Sequence, residues 1–286
     1  MRVGCNLLTR ADDPRFVQAA AGAVRSLVES DLRQYNPFVL VTTQGPRCTD
    51  FYQWQVDLRA VWTNLDMIDV PASCSFAEGR NSGYTFMGMG KFDLLLEFDN
   101  DNLFPNYWFE PMLRFLESHP RAGLVSPGTI MAEKWELCDT PTVRIDYEGM
   151  HYTDMLWRVN KEARLCRAAY AGRTGRVRYP PVLKRSQCLQ DVGLYDEGFR
   201  GGSWEDWDEC VRVAAGGWET WTCLDSFVFH WTAWERTVQG NWAGGNDDAD
   251  QVANRNRFFD KWPEAAEFMA AYMESRHGLF SIYNEG

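Results

Sequence analysis

Residues 92–102 read FDLLLEFDNDN, and they settle the fold class. Phe92–Phe98 is an apolar run of strand length that breaks at once into Asp99-Asn100-Asp101-Asn102. Short apolar runs bounded by turn residues mark strands buried in a parallel sheet. The same pattern recurs on either side. Arg2–Thr9 (RVGCNLLT) has the length and composition of a strand, and Phe38–Thr43 (FVLVTT) is β-branched and bounded by Asn36-Pro37 and Gln44-Gly45-Pro46. Val61–Val70 is a weaker strand candidate. Helical spacing separates these runs. Asp13-Pro14 offers an N-cap followed by proline at the first helical position, and Val17, Ala20, Val24 and Leu27 then share one face. Ser75–Gly88 reads as a helix despite its glycines, Tyr107–Ser118 as another, and Ala122–Ser126 as a strand stopped by Pro127-Gly128. Such alternation predicts an α/β fold, with a twisted, mostly parallel, Rossmann-like central sheet flanked by helices. Ligands of these sheets sit at the carboxyl ends of the strands, where Asp99–Asn102 falls.

Past residue 130 the rhythm breaks. Nine basic residues (158, 161, 164, 167, 173, 176, 178, 184 and 185) crowd into the stretch from Arg158 to Arg185. The pattern resumes after Pro180-Pro181 with a strand at Val182–Arg185, a helix capped by Ser186, and Gly193–Arg200. Gly240–Gly245 (GNWAGG) has the composition of a loop, and Ala249–Ser275 is helical by periodicity with a break at Pro263.

Composition excludes several classes. The chain has 286 residues, 29 Lys and Arg against 40 Asp and Glu, a net charge of -11, and 45% hydrophobic residues. That is one large domain or two small ones at roughly 150 residues each, with enough apolar content for a core. No apolar run approaches the roughly 20 residues of a membrane span. The opening MRVGCNLLTRADDP turns polar too soon for a secretory signal. Eight cysteines without a C-x-x-C pair argue against a zinc knuckle or disulfide framework and suit a reduced, cytoplasmic protein. The acidic balance argues against holding duplex nucleic acid by its phosphates. Eight of the 13 tryptophans lie beyond residue 200, seven of them between Trp204 and Trp242.

Three motifs carry candidate chemistry. Asp99 and Asp101 stand at the mouth of a buried strand and can approach one cation. Carboxylate oxygens select Mg²⁺ or Mn²⁺, although Asp and Asn are also ordinary turn residues. Trp204-Glu205-Asp206-Trp207-Asp208 sets acids at a helix N-terminus. The helix dipole accounts for the charge but not for the flanking tryptophans. Flat aromatic faces beside carboxylates suit a sugar ring, with one carboxylate placed to take a hydroxyl proton. His230 ends the strand Ser226–His230; alone it reads as structural, and beside two acidic sites as a metal ligand. Other templates fail: there is no G-x-x-x-x-G-K-[ST], no G-x-G-x-x-G after the first strand, no G-x-S-x-G and no H-E-x-x-H.

Taken in order, these pieces resemble a family 2-type glycosyltransferase of the GT-A fold. The resemblance rests on LLLEFDNDNLFPNYWFEPMLRFLESHPRAGLVSP (94–127), VLKRSQCLQDVGLYDEGFRGGSWEDWDECVRVAAGGW (182–218), SFVFHW (226–231) and NRNRFFDKW (254–262), with AEGRN (77–81) similar to the helix before the metal strand. It implies a GT-A domain with a nucleotide-sugar half (1–130) and an acceptor half (131–286). It implies that Asp101, Asp99 and His230 hold a divalent cation, Mn²⁺ or Mg²⁺, at the donor's pyrophosphate. Asp206 would be the general base, with Glu205, Trp204 and Trp207 binding the acceptor. Thr9, Arg80, Asn81, Asp99 and Asn100 would line the nucleotide pocket. The chain departs from the family at its second strand, where Thr42-Thr43-Gln44 replaces the aspartate that often reads uracil or thymine. The donor is therefore expected to be a UDP-, GDP- or dTDP-sugar.

One carboxylate at the acceptor hydroxyl suffices for single displacement with inversion. The expected acceptor is a saccharide, a lipid-linked saccharide or another hydroxyl compound, with a cytoplasmic location that admits peripheral membrane contact. The basic stretch 158–185 would suit a phosphorylated acceptor, a membrane surface or nucleic acid, but equally a solvated helix face. Three rivals stand: a non-catalytic carbohydrate-binding protein, a nucleotidyltransferase, and a glycosyltransferase acting on nucleic acid.

Overall fold

The computed structural model describes residues 1–131, 174–175, 181–230 and 248–265. The basic stretch up to Arg178, the Gly240–Gly245 loop, Trp231, Trp234, Trp242 and the helical tail past residue 265 lie outside the described residues.

The strands are β1 (Val3–Arg10), β2 (Phe38–Gln44), β3 (Leu65–Val70), β4 (Leu94–Asp99), β5 (Asn102–Leu103), β6 (Ala122–Met131), β7 (Thr174–Gly175), β8 (Val182–Arg185) and β9 (Glu219–His230). They form one sheet in the order β3-β2-β1-β4-β8-β6-β9-β5, with β7 paired to β9. From β3 to β4 every neighbour is parallel. This is the part of the chain where strands and helices alternate in sequence. Strand β8, which follows the break in that rhythm, runs antiparallel between β4 and β6, while β9 returns parallel to β6.

The helices are α1 (Pro14–Glu29), α2 (Thr49–Val61), α3 (Phe76–Met87), α4 (Phe109–Ser118), α5 (Ser186–Val192), α6 (Glu205–Ala215) and α7 (Asp248–Lys261). They cover both sheet faces, as strands buried on two sides require. Cys5, Leu7, Val39, Val41, Leu96 and Phe98 pack on one face with α1, α2 and α4. Leu40 and Leu95 point the other way, against Ala77, Tyr84 and Met87 of α3. Asp13 caps α1, its carboxylate accepting from the Arg15 amide.

Four local expectations are corrected. Pro127-Gly128 does not stop β6; the strand continues to Met131, and a register shift against β9 between these two residues absorbs the proline. Ser186 is the first helical residue of α5, and the N-cap is Arg185, with no side-chain cap bond. Residues 49–61 form α2, so β3 begins at Leu65 rather than Val61. Strand β9 begins at Glu219, well before Ser226.

The glycines of α3 have a steric reason. A Cβ on Gly79 would lie 2.8 Å from Leu8 of β1, and one on Gly83 would run into the Asn6 amide. The helix therefore lies close on β1. Asn6 Nδ2 donates to the Arg80 carbonyl at 3.0 Å, and Arg80 Nη1 donates to the Asn6 carbonyl at 2.7 Å. This double contact aims the guanidinium at the end of β4.

Candidate active site

Strand β4 ends at Asp99, the chain turns, and the two residues of β5 pair antiparallel with the end of β9, placing Asn102 opposite His230. This pairing brings together groups far apart in sequence. Ligand atoms of Asp99, Asp101 and His230 all lie within 4.8 Å of one another. His230 Nε2 is 3.3 Å from Asp101 Oδ2. Asp101 is 2% exposed, yet among the described residues neither carboxylate oxygen has a hydrogen-bond partner. Burial, reinforced by the Asp99 charge, raises its pKa well above the usual carboxylate range. Burial raises Asp99 too, but Arg80 and His230 oppose the shift, and Arg80 Nη2 donates to Asp99 Oδ1 at 2.5 Å. Buried polar atoms without partners are rare in native proteins and need an explanation. Two unsatisfied carboxylate oxygens beside a second carboxylate and an imidazole fit a divalent cation. The oxygens suit Mn²⁺ or Mg²⁺, and the imidazole favours the transition metal.

Glu205 of α6 lies near enough to this cluster to feel the Asp99 charge. Glu205 is 6% exposed, and among the described residues its Oε2 has no hydrogen-bond partner. Burial raises its pKa well above the ordinary value, and the charges of Asp206, Glu97 and Asp99 raise it further. Asp206 is half-buried, with Oδ1 accepting from the Trp207 amide at 2.9 Å. Trp204, just before the helix, has φ 73, a left-handed backbone that costs a bulky residue of order 1–3 kcal/mol. Strain stored next to buried, unsatisfied acids marks a constrained site.

The tryptophan surplus divides. Half-buried Trp204 packs against Phe258 and Phe259 of α7, with ring centroids 5.4 and 5.8 Å away, and Trp207 joins the same cluster. Trp218 bonds Asp191, and Trp221 stacks near Phe115 and His119. Packing therefore claims part of the apolar surface that sequence alone would assign to sugar.

The remaining predicted residues separate into two groups. Thr9, next to last in β1, accepts from Asn100 Nδ2 at 3.2 Å, next to the acid cluster. Arg80 holds Asp99 as described. Asn81 turns away: its amide meets Tyr195 and Glu197, all at 2.9–3.0 Å. The parallel register aligns Thr9, Thr43 and Asp69 in one row across the ends of β1, β2 and β3. Thr43 Oγ1 donates to Asp69 Oδ1 at 2.5 Å, and Arg47 Nε donates to the same oxygen at 2.8 Å. Sequence reading missed Asp69, because its strand was the weakest of the set.

No family model matches the sequence, and no curated protein does. Solved structures do match. TarS of S. aureus aligns at a TM-score of 0.56 and 11% identity, over 91% of this chain and 43% of TarS. GalNAc-T7 with UDP, GalNAc and Mn²⁺ aligns at 0.57 and 12% identity, over 81% of this chain and 44% of that one. The chain has the GT-A fold. It spans under half the length of both neighbours, while TarS 1–349 in complex with UDP is covered over 71%.

Behind Asp99 and Glu205 lies a buried polar lattice that no sequence motif announced. Lys184 of β8, with no exposed surface, donates to Glu97 Oε2 at 3.1 Å, to the Tyr195 hydroxyl at 2.9 Å and to Glu209 at 2.7 and 2.9 Å. The hydroxyls of Tyr195 and Tyr84 donate to Glu97 at 2.8 and 2.6 Å. Burial alone would raise Glu97, but Lys184, Arg80 and these hydroxyls bring it down to about 2. Burial would lower Lys184, and Glu209 and Glu97 hold it above its usual value. A charged residue inside an apolar strand, as in LLLEF, is the one signal that could have exposed this lattice.

Proposed function

We propose that this chain is a metal-dependent glycosyltransferase that moves a sugar from a nucleotide-sugar donor to an acceptor hydroxyl with inversion. The observation that carries the proposal is the buried Asp101 carboxylate, without a hydrogen bond among the described residues, clustered with Asp99 and His230 and with Glu205 of α6 near enough to feel the Asp99 charge. Asp99, Asp101 and His230 would hold Mn²⁺ or Mg²⁺, which when bound neutralises the charge developing on the departing diphosphate. Arg80 orients Asp99 by its short contact. Thr9 and Asn100 line the entrance to the nucleotide pocket, and Asp69 offers a carboxylate to the edge of the nucleobase. Uracil, thymine and guanine all present an N–H to such an acceptor, so UDP-, dTDP- and GDP-sugars each fit.

Glu205, buried at the start of α6, orients the acceptor. Asp206 accepts the acceptor's hydroxyl proton as the new glycosidic bond forms, which is worth roughly 10²–10⁴-fold. Attack from the side opposite the diphosphate needs no second nucleophile and inverts the anomeric carbon. In this reading residues 1–130 bind the donor and residues 131–286 the acceptor, a saccharide or a lipid-linked saccharide. No helix among the described residues is long and apolar enough to cross a membrane.

The test is release of nucleoside diphosphate from UDP-, GDP- and dTDP-sugars with Mn²⁺. Release that stops in excess EDTA and returns with added Mn²⁺ supports the proposal. A carbohydrate-binding protein would release none, and a nucleotidyltransferase would release pyrophosphate from nucleoside triphosphates instead.

A further inference from the structure

Asp99 and Glu97 are two apart on β4, so their side chains share one face of the strand. Glu205 and Glu209 are four apart on α6, so theirs share one face of the helix. Lys184 bridges the two partners that sit one step behind the functional acids, bonding Glu97 at 3.1 Å and Glu209 at 2.7 Å. All three are buried, at 0%, 1% and 4% exposure for Lys184, Glu97 and Glu209. The ammonium has no slack, since Glu97, Glu209 and the Tyr195 hydroxyl take its three protons.

We propose that Lys184, with Glu97 and Glu209, is a positioning device that fixes the spacing between the metal-binding acids of β4 and the acceptor-side acids of α6. The assignment rests on the glycosyl-transfer reading above. None of the three touches the reacting atoms. Their effect is on the distance over which Asp206 must reach an acceptor hydroxyl while the donor is held at Asp99 and Asp101. Misplacing reacting groups by about 1 Å costs on the order of 10²-fold in rate, without weakening either binding step. Arg80 reinforces the arrangement from the donor side, because its guanidinium lies 3.8 Å from Glu97 and 2.5 Å from Asp99.

The experiment compares wild type with Lys184→Met/Glu209→Leu and with Glu209→Gln. Replacing a buried ion pair by apolar side chains often preserves stability, whereas Lys184→Met alone would strand Glu209 uncompensated. Glu209→Gln keeps an oxygen for the lysine and changes only charge. Each protein is assayed for Mn²⁺ affinity by electron paramagnetic resonance of free Mn²⁺, and for kcat with whichever donor of the three-nucleotide panel the wild type turns over. The expected result is Mn²⁺ affinity within about threefold of wild type in both variants. The expected fall in kcat is at least about tenfold in the double variant, and smaller in Glu209→Gln. Wild-type kcat in either variant overturns the assignment. A parallel loss of Mn²⁺ affinity overturns it too, since the lattice would then serve the metal cluster itself. If the wild type turns over no donor, the transfer reading fails first and the two failures are told apart.

Discussion

Asp101→Asn separates a metal ligand from a structural ion pair. His230 Nε2 lies 3.3 Å from Asp101 Oδ2, so if both were charged their attraction at an effective dielectric of 20 would be about 5 kcal/mol before desolvation. Removing one partner of such a buried pair destabilises a protein by about 3–5 kcal/mol. The site points the other way. Both Asp101 oxygens are buried without hydrogen bonds among the described residues, and burial holds the group toward its neutral form. In metal-free protein the carboxylate is therefore a cost rather than a support. Asp101→Asn is expected to leave metal-free stability within about 1 kcal/mol of wild type. The response to Mn²⁺ is expected to vanish. Mn²⁺ at 100 times its dissociation constant stabilises the wild type by about 2.7 kcal/mol, or roughly 5 °C for a chain of this length. Thermal unfolding with EDTA and with Mn²⁺, on both proteins, gives the four numbers needed. A metal-free variant that loses 3–5 kcal/mol, or one that keeps the full Mn²⁺ shift, would refute the reasoning.

Asp206→Asn should lower turnover by roughly 10²–10⁴-fold with nucleotide affinity unchanged, while Glu205→Gln should chiefly raise KM for the acceptor; the reverse pattern in steady-state kinetics would exchange their roles. Asp69→Asn should weaken nucleoside diphosphate binding about tenfold, as loss of one charge-assisted hydrogen bond on an exposed carboxylate implies, with no change in Mn²⁺ affinity by calorimetry. The pH dependence has two limbs. Glu97 is depressed from 4.5 to about 2, so its contribution is complete above 4.5 and disappears as pH falls toward 2. Asp101 and Glu205 are raised, so their contribution is complete below their ordinary values of 3.8 and 4.5 and is lost as pH rises through the raised ones. Metal-free protein should therefore melt lower as pH climbs toward neutrality, and Mn²⁺ should flatten that slope, because the metal takes the ionised form of Asp101. Gly83→Ala should lower stability by about 1–3 kcal/mol in chemical unfolding, because the new methyl collides with Asn6.

Strands β1, β2 and β4 of the parallel half were legible because each is a short apolar run between turn residues, while LDMIDV of β3 carries two aspartates and was the weakest, and LLLEF into Asp99-Asn100-Asp101 marked the end where the candidate site lies. The α6 acids and His230 could likewise be singled out from residue type and position. Local pattern erred where tertiary pairing overrides it. A proline stops an isolated strand, but Pro127 sits at a register shift against β9, the kind of irregularity at which a sheet tolerates proline. Ser186 looked like a cap because serine caps helices, yet it is the first helical residue, with Arg185 as the cap. Asn81 belongs to the AEGRN segment, but its amide is spent on Tyr195 and Glu197.

The sequence carried the alternation of strands and helices in the first half, the acids and the carboxyl ends of β1, β2 and β4, because apolar period and turn chemistry are local properties of the chain. It could not carry which distant groups meet. Asn102 opposite His230, Thr43 beside Asp69, and Lys184 between Glu97 and Glu209 are products of strand register and of the burial of α6 against the sheet. Burial then changes what those groups are. The same aspartate is a solvated turn residue when exposed, and at 2% exposure, without a hydrogen bond among the described residues, it becomes a candidate ligand for a cation.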